Sequence, residues 1–108
     1  MYPTDPQWAL FQRYKNCPPP MSPQTFLQHW NLDYPDLARL VGVTRDTVGH
    51  WFSTGRGSRP APEAHCRRLA TIDFFWRNLD RIPYELLDAW CELPAELPIE
   101  SETTDETS

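Results

Sequence analysis

The chain predicts an all-α fold, a compact bundle of about five short helices. Two observations carry this: apolar residues recur three and four apart in separate stretches, and helix-start residues stand immediately before several of those stretches. With 108 residues, 40% of them hydrophobic, one modest core can form without disulfide staples. A C-terminal change in composition then divides the chain into three parts: an N-terminal extension over residues 1–21, a helical domain over residues 22–93 and an acidic tail over residues 94–108.

Each element follows from local chemistry. In the extension, Asp5 and Pro6 open a stretch holding Trp8, Leu10, Phe11 and Tyr14, expected as a short helix that either caps the core or pairs with a second copy. Ser22-Pro23 is a capping residue followed by a proline at the first helical position, and Phe26, Leu27 and Trp30 supply the apolar stripe behind it. Leu37, Leu40 and Val41 give the next helix its apolar face, with Asp36 near the positive end of its dipole and Ala38 small enough for a neighbour to approach closely. Gly42 stands where that helix must stop, at a position suited to positive φ. Thr44 then caps a helix opened by Arg45, expected over residues 45–53. Val48 and Trp51 bury its inner face, which leaves Arg45, Asp46, Gly49 and His50 pointing outward.

Residues 53–62, rich in Gly, Ser and Pro, form a loop. A longer helix is expected over residues 62–78 with Leu69, Ile72, Phe75 and Trp76 inward. After Ile82-Pro83, the residues Tyr84, Leu86, Leu87, Ala89, Trp90 and Leu93 make an amphipathic helix that packs on the core or meets a second copy. From Pro94 onward Pro, Glu, Ser and Thr dominate, a composition expected to be disordered.

Two short helices joined by a glycine-containing turn are the geometry of a helix-turn-helix, whose second helix enters the DNA major groove. The run from Leu37 to Phe52 resembles the lambda-repressor/Cro-like helix-turn-helix family, with Ala38, Gly42, Val48 and Trp51 matching the small residue, the turn glycine and two core positions. The resemblance covers residues 22–76 and implies a DNA-binding transcriptional regulator of bacterial or phage type, acting as a symmetric dimer on two half-sites. Many members open the first helix of the motif with a phosphate-binding glutamine. Here Tyr34-Pro35-Asp36 stands in that place, so the resemblance does not supply that anchor.

The outward residues divide by what each can bond. Arg45 can reach guanine O6 and N7 bidentately, the commonest specific contact. Asp46 either accepts from a cytosine amino group or complements the helix dipole. His50 can donate to a guanine or to a phosphate. Gly49 costs about 1 kcal/mol against alanine inside a helix, which points either to close approach of DNA or to clearance for a core side chain. Thr44, Arg56 and Arg59 are the expected phosphate contacts, fixing register without reading sequence; a solvated loop is the plainer role of the two loop arginines.

Charge is unevenly placed. The formal net charge is −5, yet between Asp36 and Arg77 seven arginines face four carboxylates, whereas residues 78–108 hold one arginine against nine carboxylates. Phosphate binding draws on local charge, so the acidic total does not exclude DNA. The tail can act as an intramolecular competitor for the arginine-bearing face.

Other classes fit less well. No Gly-rich phosphate loop, zinc spacing or nucleophile-base pair stands in the sequence, which points away from an enzyme, a cofactor and a metal; His65 and Cys66 are adjacent and diverge around a helix. Three widely spaced cysteines do not build a disulfide framework and suit a reducing compartment. With neither a signal-peptide pattern nor a membrane span, a cytoplasmic, nucleoid-associated protein is expected. The competing reading is a protein-interaction module that retains the helix-turn-helix fold and binds a partner through its aromatic flanks.

Overall fold

The computed structural model describes residues 1–92, so Leu93 and the tail expected over residues 94–108 lie outside the described residues. Among the described residues there are six α-helices: α1 (Asp5–Tyr14), α2 (Pro23–His29), α3 (Tyr34–Val41), α4 (Arg45–Phe52), α5 (Glu63–Arg77) and α6 (Tyr84–Cys91). No strand occurs among the described residues, and the fold is all-α. Two compact units divide the chain, Met1–Arg77 and a second beginning at Asn78.

Helices α1 to α4 of the first unit start at short polar side chains that cap them. Thr4 accepts from Gln7 N–H while the Gln7 amide returns a bond to Thr4 N–H, a reciprocal cap on α1. Ser22 accepts from Thr25 N–H and Thr44 from Thr47 N–H, each at 3.1 Å. Asp33 caps α3 at 2.9 Å through Asp36 N–H, so this helix begins at Tyr34, with Pro35 in its first turn where a missing N–H costs nothing. Caps of this kind contribute about 1 kcal/mol each. Gly42 ends α3 at φ +77°, a left-handed conformation that a Cβ would strain.

The core lies among α2 to α5. Phe26 of α2, Leu37, Ala38 and Val41 of α3, Val48 and Trp51 of α4 and Leu69 of α5 are buried together. Ala38 has the role its size suggests, since α3 and α4 pack closely and Ala38 is buried between larger neighbours. At the edge of this core the Trp30 and Trp76 rings meet edge to face with centroids 5.0 Å apart.

Helix α5 departs from the expected inward set. Leu69, Ala70 and Asp73 are its buried residues, with Ile72 and Trp76 half-buried against the core, while Phe75 stands outside the core cluster. At 3.6 residues per turn Phe75 lies roughly 120° around the helix from Leu69, whereas Asp73 falls about 40° from it. A carboxylate thus occupies a core position that the apolar pattern alone does not assign.

Helix α1 buries no residue, and Trp8, Leu10, Phe11 and Tyr14 are exposed along it. The chain after α1 is tied to α5 by Arg67, whose guanidinium donates to the Pro18 carbonyl at 2.7 Å and to the Glu63 carboxylate at 2.9 Å. In the second unit a 3-10 turn at Leu79–Arg81 leads through Pro83 into α6, which ends at Glu92 in a left-handed conformation. No described helix is long and apolar enough to cross a membrane.

Candidate nucleic-acid interface

The outer face of α4 is fixed by its inner one. Val48 and Trp51, three apart, face the core, which turns Arg45, Asp46, Gly49 and His50 to the opposite side. These four residues and Tyr34 line one open cleft of about 510 Å³. Tyr34 reaches this place because α3 starts one turn earlier than Leu37, and its ring stacks on Phe52 with centroids 4.9 Å apart and planes 23° apart. Sequence reading passed over Tyr34 as part of a missing glutamine site. Its adjacency to Pro35 and Asp33, a cap followed by a first-turn proline, was the available signal.

The hydrogen-bond inventory separates the arginines. Arg67 is engaged with Glu63 and two carbonyls, Arg68 donates to the Leu40 carbonyl at the end of α3 at 2.7 Å, and Arg77 grips Asp73. Arg39 forms an exposed pair with Asp36 at 3.5 Å, of small worth. Among the described residues, the guanidinium groups of Arg45, Arg56 and Arg59 make no hydrogen bond or ion pair. The three arginines expected to meet DNA are thus the ones whose donors the first unit leaves unspent, and in the second unit the Arg81 guanidinium is likewise without a hydrogen bond or ion pair among the described residues.

The loop carrying Arg56 and Arg59 is folded back on the end of α4. Gly55 turns the chain at φ +85°, with Ser58 N–H bonded to the Gly55 carbonyl at 3.1 Å. His50 is the joint: its carbonyl accepts from Arg59 N–H and from the Ser53 hydroxyl, each at 3.1 Å, and its ring Nδ1 donates to the Gly57 carbonyl at 2.9 Å. A carbonyl only accepts, so the Nδ1 proton is committed inside the protein. From the other side, the Gln24 amide of α2 donates to the Trp51 carbonyl at 2.9 Å. The last turn of α4 is thereby held by α2 and by the loop, with the His50 and Trp51 carbonyls satisfied.

Gly49 and Asp46 can be read more closely. A Cβ built on Gly49 meets nothing within 4 Å. Clearance for a core neighbour is thus not what the glycine provides, and the open side faces the cleft. Asp46 lies in the first turn of α4, where the dipole favours its charge, and no partner side chain neutralises it among the described residues. Thr44 uses its hydroxyl oxygen as the helix cap and shares a 2.9 Å bond with the Thr47 hydroxyl. It sits at the same end of α4 as Arg45.

Behind this face is a buried polar centre that sequence reading missed. Asp73 is 1% exposed, and four donors converge on it: His29 Nδ1 at 2.9 Å and Trp30 Nε1 at 3.0 Å on one oxygen, Arg77 Nε at 3.0 Å and Nη2 at 2.7 Å on the other. Burial by itself pushes its pKa up, but the bonds from His29, Arg77 and Trp30 and the charge of Arg77 outweigh burial and hold it below the ordinary aspartate value. A carboxylate inside an apolar stripe with an arginine four residues on was the signal for it. His65 packs its ring on Trp51, with centroids 5.7 Å apart. Next to it, burial and the charge of Glu63 push the Cys66 thiol up.

Compared with protein-family models, curated proteins and solved structures, the chain matches none of them.

Proposed function

We propose that the protein binds double-stranded DNA sequence-specifically and acts as a transcriptional regulator, with α4 as the helix that reads the major groove. One observation carries this reading: within the first unit the unspent guanidinium groups, those of Arg45, Arg56 and Arg59, all stand on α4 and on the loop pinned to its end. A helix bearing Arg45 at its first position, with a small residue on its open face, has the form that a groove about 12 Å wide admits. Flanking arginines that hold no internal partner supply phosphate contacts, which give register and most of the affinity. The lambda-repressor/Cro-like resemblance leads to the same function and adds a symmetric dimer and a cytoplasmic, nucleoid-associated setting.

The test is selection of bound genomic fragments by the purified protein at low salt, followed by anisotropy titration of the enriched duplex over a salt series. A recurrent motif with a steep negative salt slope supports the reading. Absence of any enriched sequence, with weak binding even at the lowest salt, overturns it.

A second reading has its own support in α1, where Trp8, Leu10, Phe11 and Tyr14 are exposed and none is buried. Exposed aromatics grouped on one helix suit a protein partner. Under this reading the protein is an interaction module, and its binding shows little dependence on salt.

A further inference from the structure

We infer that His50 reads DNA as a hydrogen-bond acceptor, recognising the exocyclic amino group of an adenine or a cytosine and not the acceptor edge of a guanine. This rests on the DNA-binding reading above and deepens it. The geometry behind it is the 2.9 Å bond between His50 Nδ1 and the Gly57 carbonyl. A neutral imidazole carries one proton, and a carbonyl oxygen can only accept, so that proton resides on Nδ1 and Nε2 bears a lone pair. The same loop is held by two further bonds to the His50 backbone carbonyl, from Arg59 N–H and the Ser53 hydroxyl. The ring's partner is therefore not a mobile one, and the tautomer is set before any ligand arrives.

His50 lines the cleft together with Tyr34, Arg45, Asp46 and Gly49, and with Nδ1 committed to Gly57 the ring nitrogen left for a ligand is Nε2. Asp46, one turn earlier on the same helix, makes no ion pair with the ring. In the major groove the donors are adenine N6 and cytosine N4, whereas guanine presents N7 and O6 as acceptors. An Nε2 lone pair bonds with the first two and is repelled by the others. Arg45 is the complementary reader, with donors only. Two residues five apart on α4 thus ask opposite questions of neighbouring base pairs.

Two measurements at pH 8 test this. The first needs no DNA: long-range proton–nitrogen correlation spectra of the full chain, with His50→Gln to assign its signals among the three histidines, report which nitrogen is protonated. The Nδ1–H tautomer is expected; an Nε2–H tautomer overturns the inference whatever the protein binds. The second uses the enriched duplex with single-base replacements, purine for each adenine and 2-pyrimidinone for each cytosine, which remove one amino group each, and 7-deazaguanine for each guanine.

Loss of one amino group should weaken wild-type binding about 3- to 10-fold at one position, the worth of one hydrogen bond, and should have no further effect in His50→Asn. Asparagine keeps a donor for Gly57 at the place of Nδ1 and lacks the Nε2 atom, so the loop stays anchored. If no amino position couples to His50, or if a 7-deazaguanine position does, the inference fails while DNA binding stands. If the wild-type chain enriches no duplex at all, the DNA reading itself has failed.

Discussion

The indole N–H of Trp30 and the carboxylate of Asp73 meet at 3.0 Å, across the seam between the end of α2 and the middle of α5. His29 and Arg77 complete the set of donors on that carboxylate. Removing the acceptor strands all of them. For Asp73→Ala a loss of about 2 to 3 kcal/mol is expected, below the value for a fully buried ion pair because His29 and Arg77 are 39% and 57% exposed and can turn to water. Urea denaturation followed by tryptophan fluorescence measures it, and a loss under 1 kcal/mol would show that the centre contributes little.

The same carboxylate gives the fold an acid limit. Its pKa is lowered in the folded state, so its contribution is fully present above the unfolded aspartate value, about 3.9, and is lost as pH falls through the lower folded value. Stability of the wild type should decline below about pH 4, and its advantage over Asp73→Asn should shrink over the same window. Denaturation midpoints for both chains between pH 7 and pH 2.5 decide this, and an advantage that stays constant over that range contradicts it.

Under the proposed function the three arginines of α4 and its loop should differ in how they fail. Arg45→Ala is expected to cost about 1 to 3 kcal/mol of discrimination at one base pair. Arg56→Ala and Arg59→Ala should weaken binding to all sequences alike and reduce the salt slope by about 1 each. Anisotropy titrations on the selected duplex and on a scrambled one separate these patterns. Equal effects from all three would place Arg45 on the phosphate backbone.

Under the proposed function, Gly49 should set stability against binding. Alanine there fits without collision and should raise helix stability by about 1 kcal/mol. Its methyl group projects into the cleft shared with Arg45 and His50, so DNA affinity should fall while the melting temperature rises. A variant that gains stability and keeps full affinity would show that the groove does not approach that position closely.

The cysteines should alkylate at two rates. Cys17 and Cys91 are exposed, whereas Cys66 is half-buried, with its thiol directed at the Ala61 carbonyl and its pKa raised by burial and Glu63. Thiolate is the reacting form. Timed iodoacetamide labelling read by peptide mass should find Cys66 modified last, and early modification there would mean that α5 opens readily near its start.

Most helices were legible because their signals are local. Ser22-Pro23, Gly42 and Thr44 act within one turn of chain, and the structure uses each as the sequence suggests. The face of α4 followed as well, since Val48 and Trp51 settle by elimination which side Arg45 and His50 take. What escaped depends on partners distant in sequence. Asp73 meets His29 and Trp30 across more than forty residues, and periodicity is blind to a polar residue satisfied by another helix. The bond between His50 and Gly57 escaped for a related reason, because Gly57 is nearby in sequence but reaches the ring only after the loop doubles back.

The end of α4 is already occupied by its own protein, through Gln24 on the Trp51 carbonyl and Arg59 and Ser53 on that of His50. A helix so anchored has little left to order when a ligand arrives. Its binding enthalpy should therefore change only gently with temperature, as expected for docking between preformed surfaces, in contrast to the steep heat-capacity signature of segments that fold as they bind.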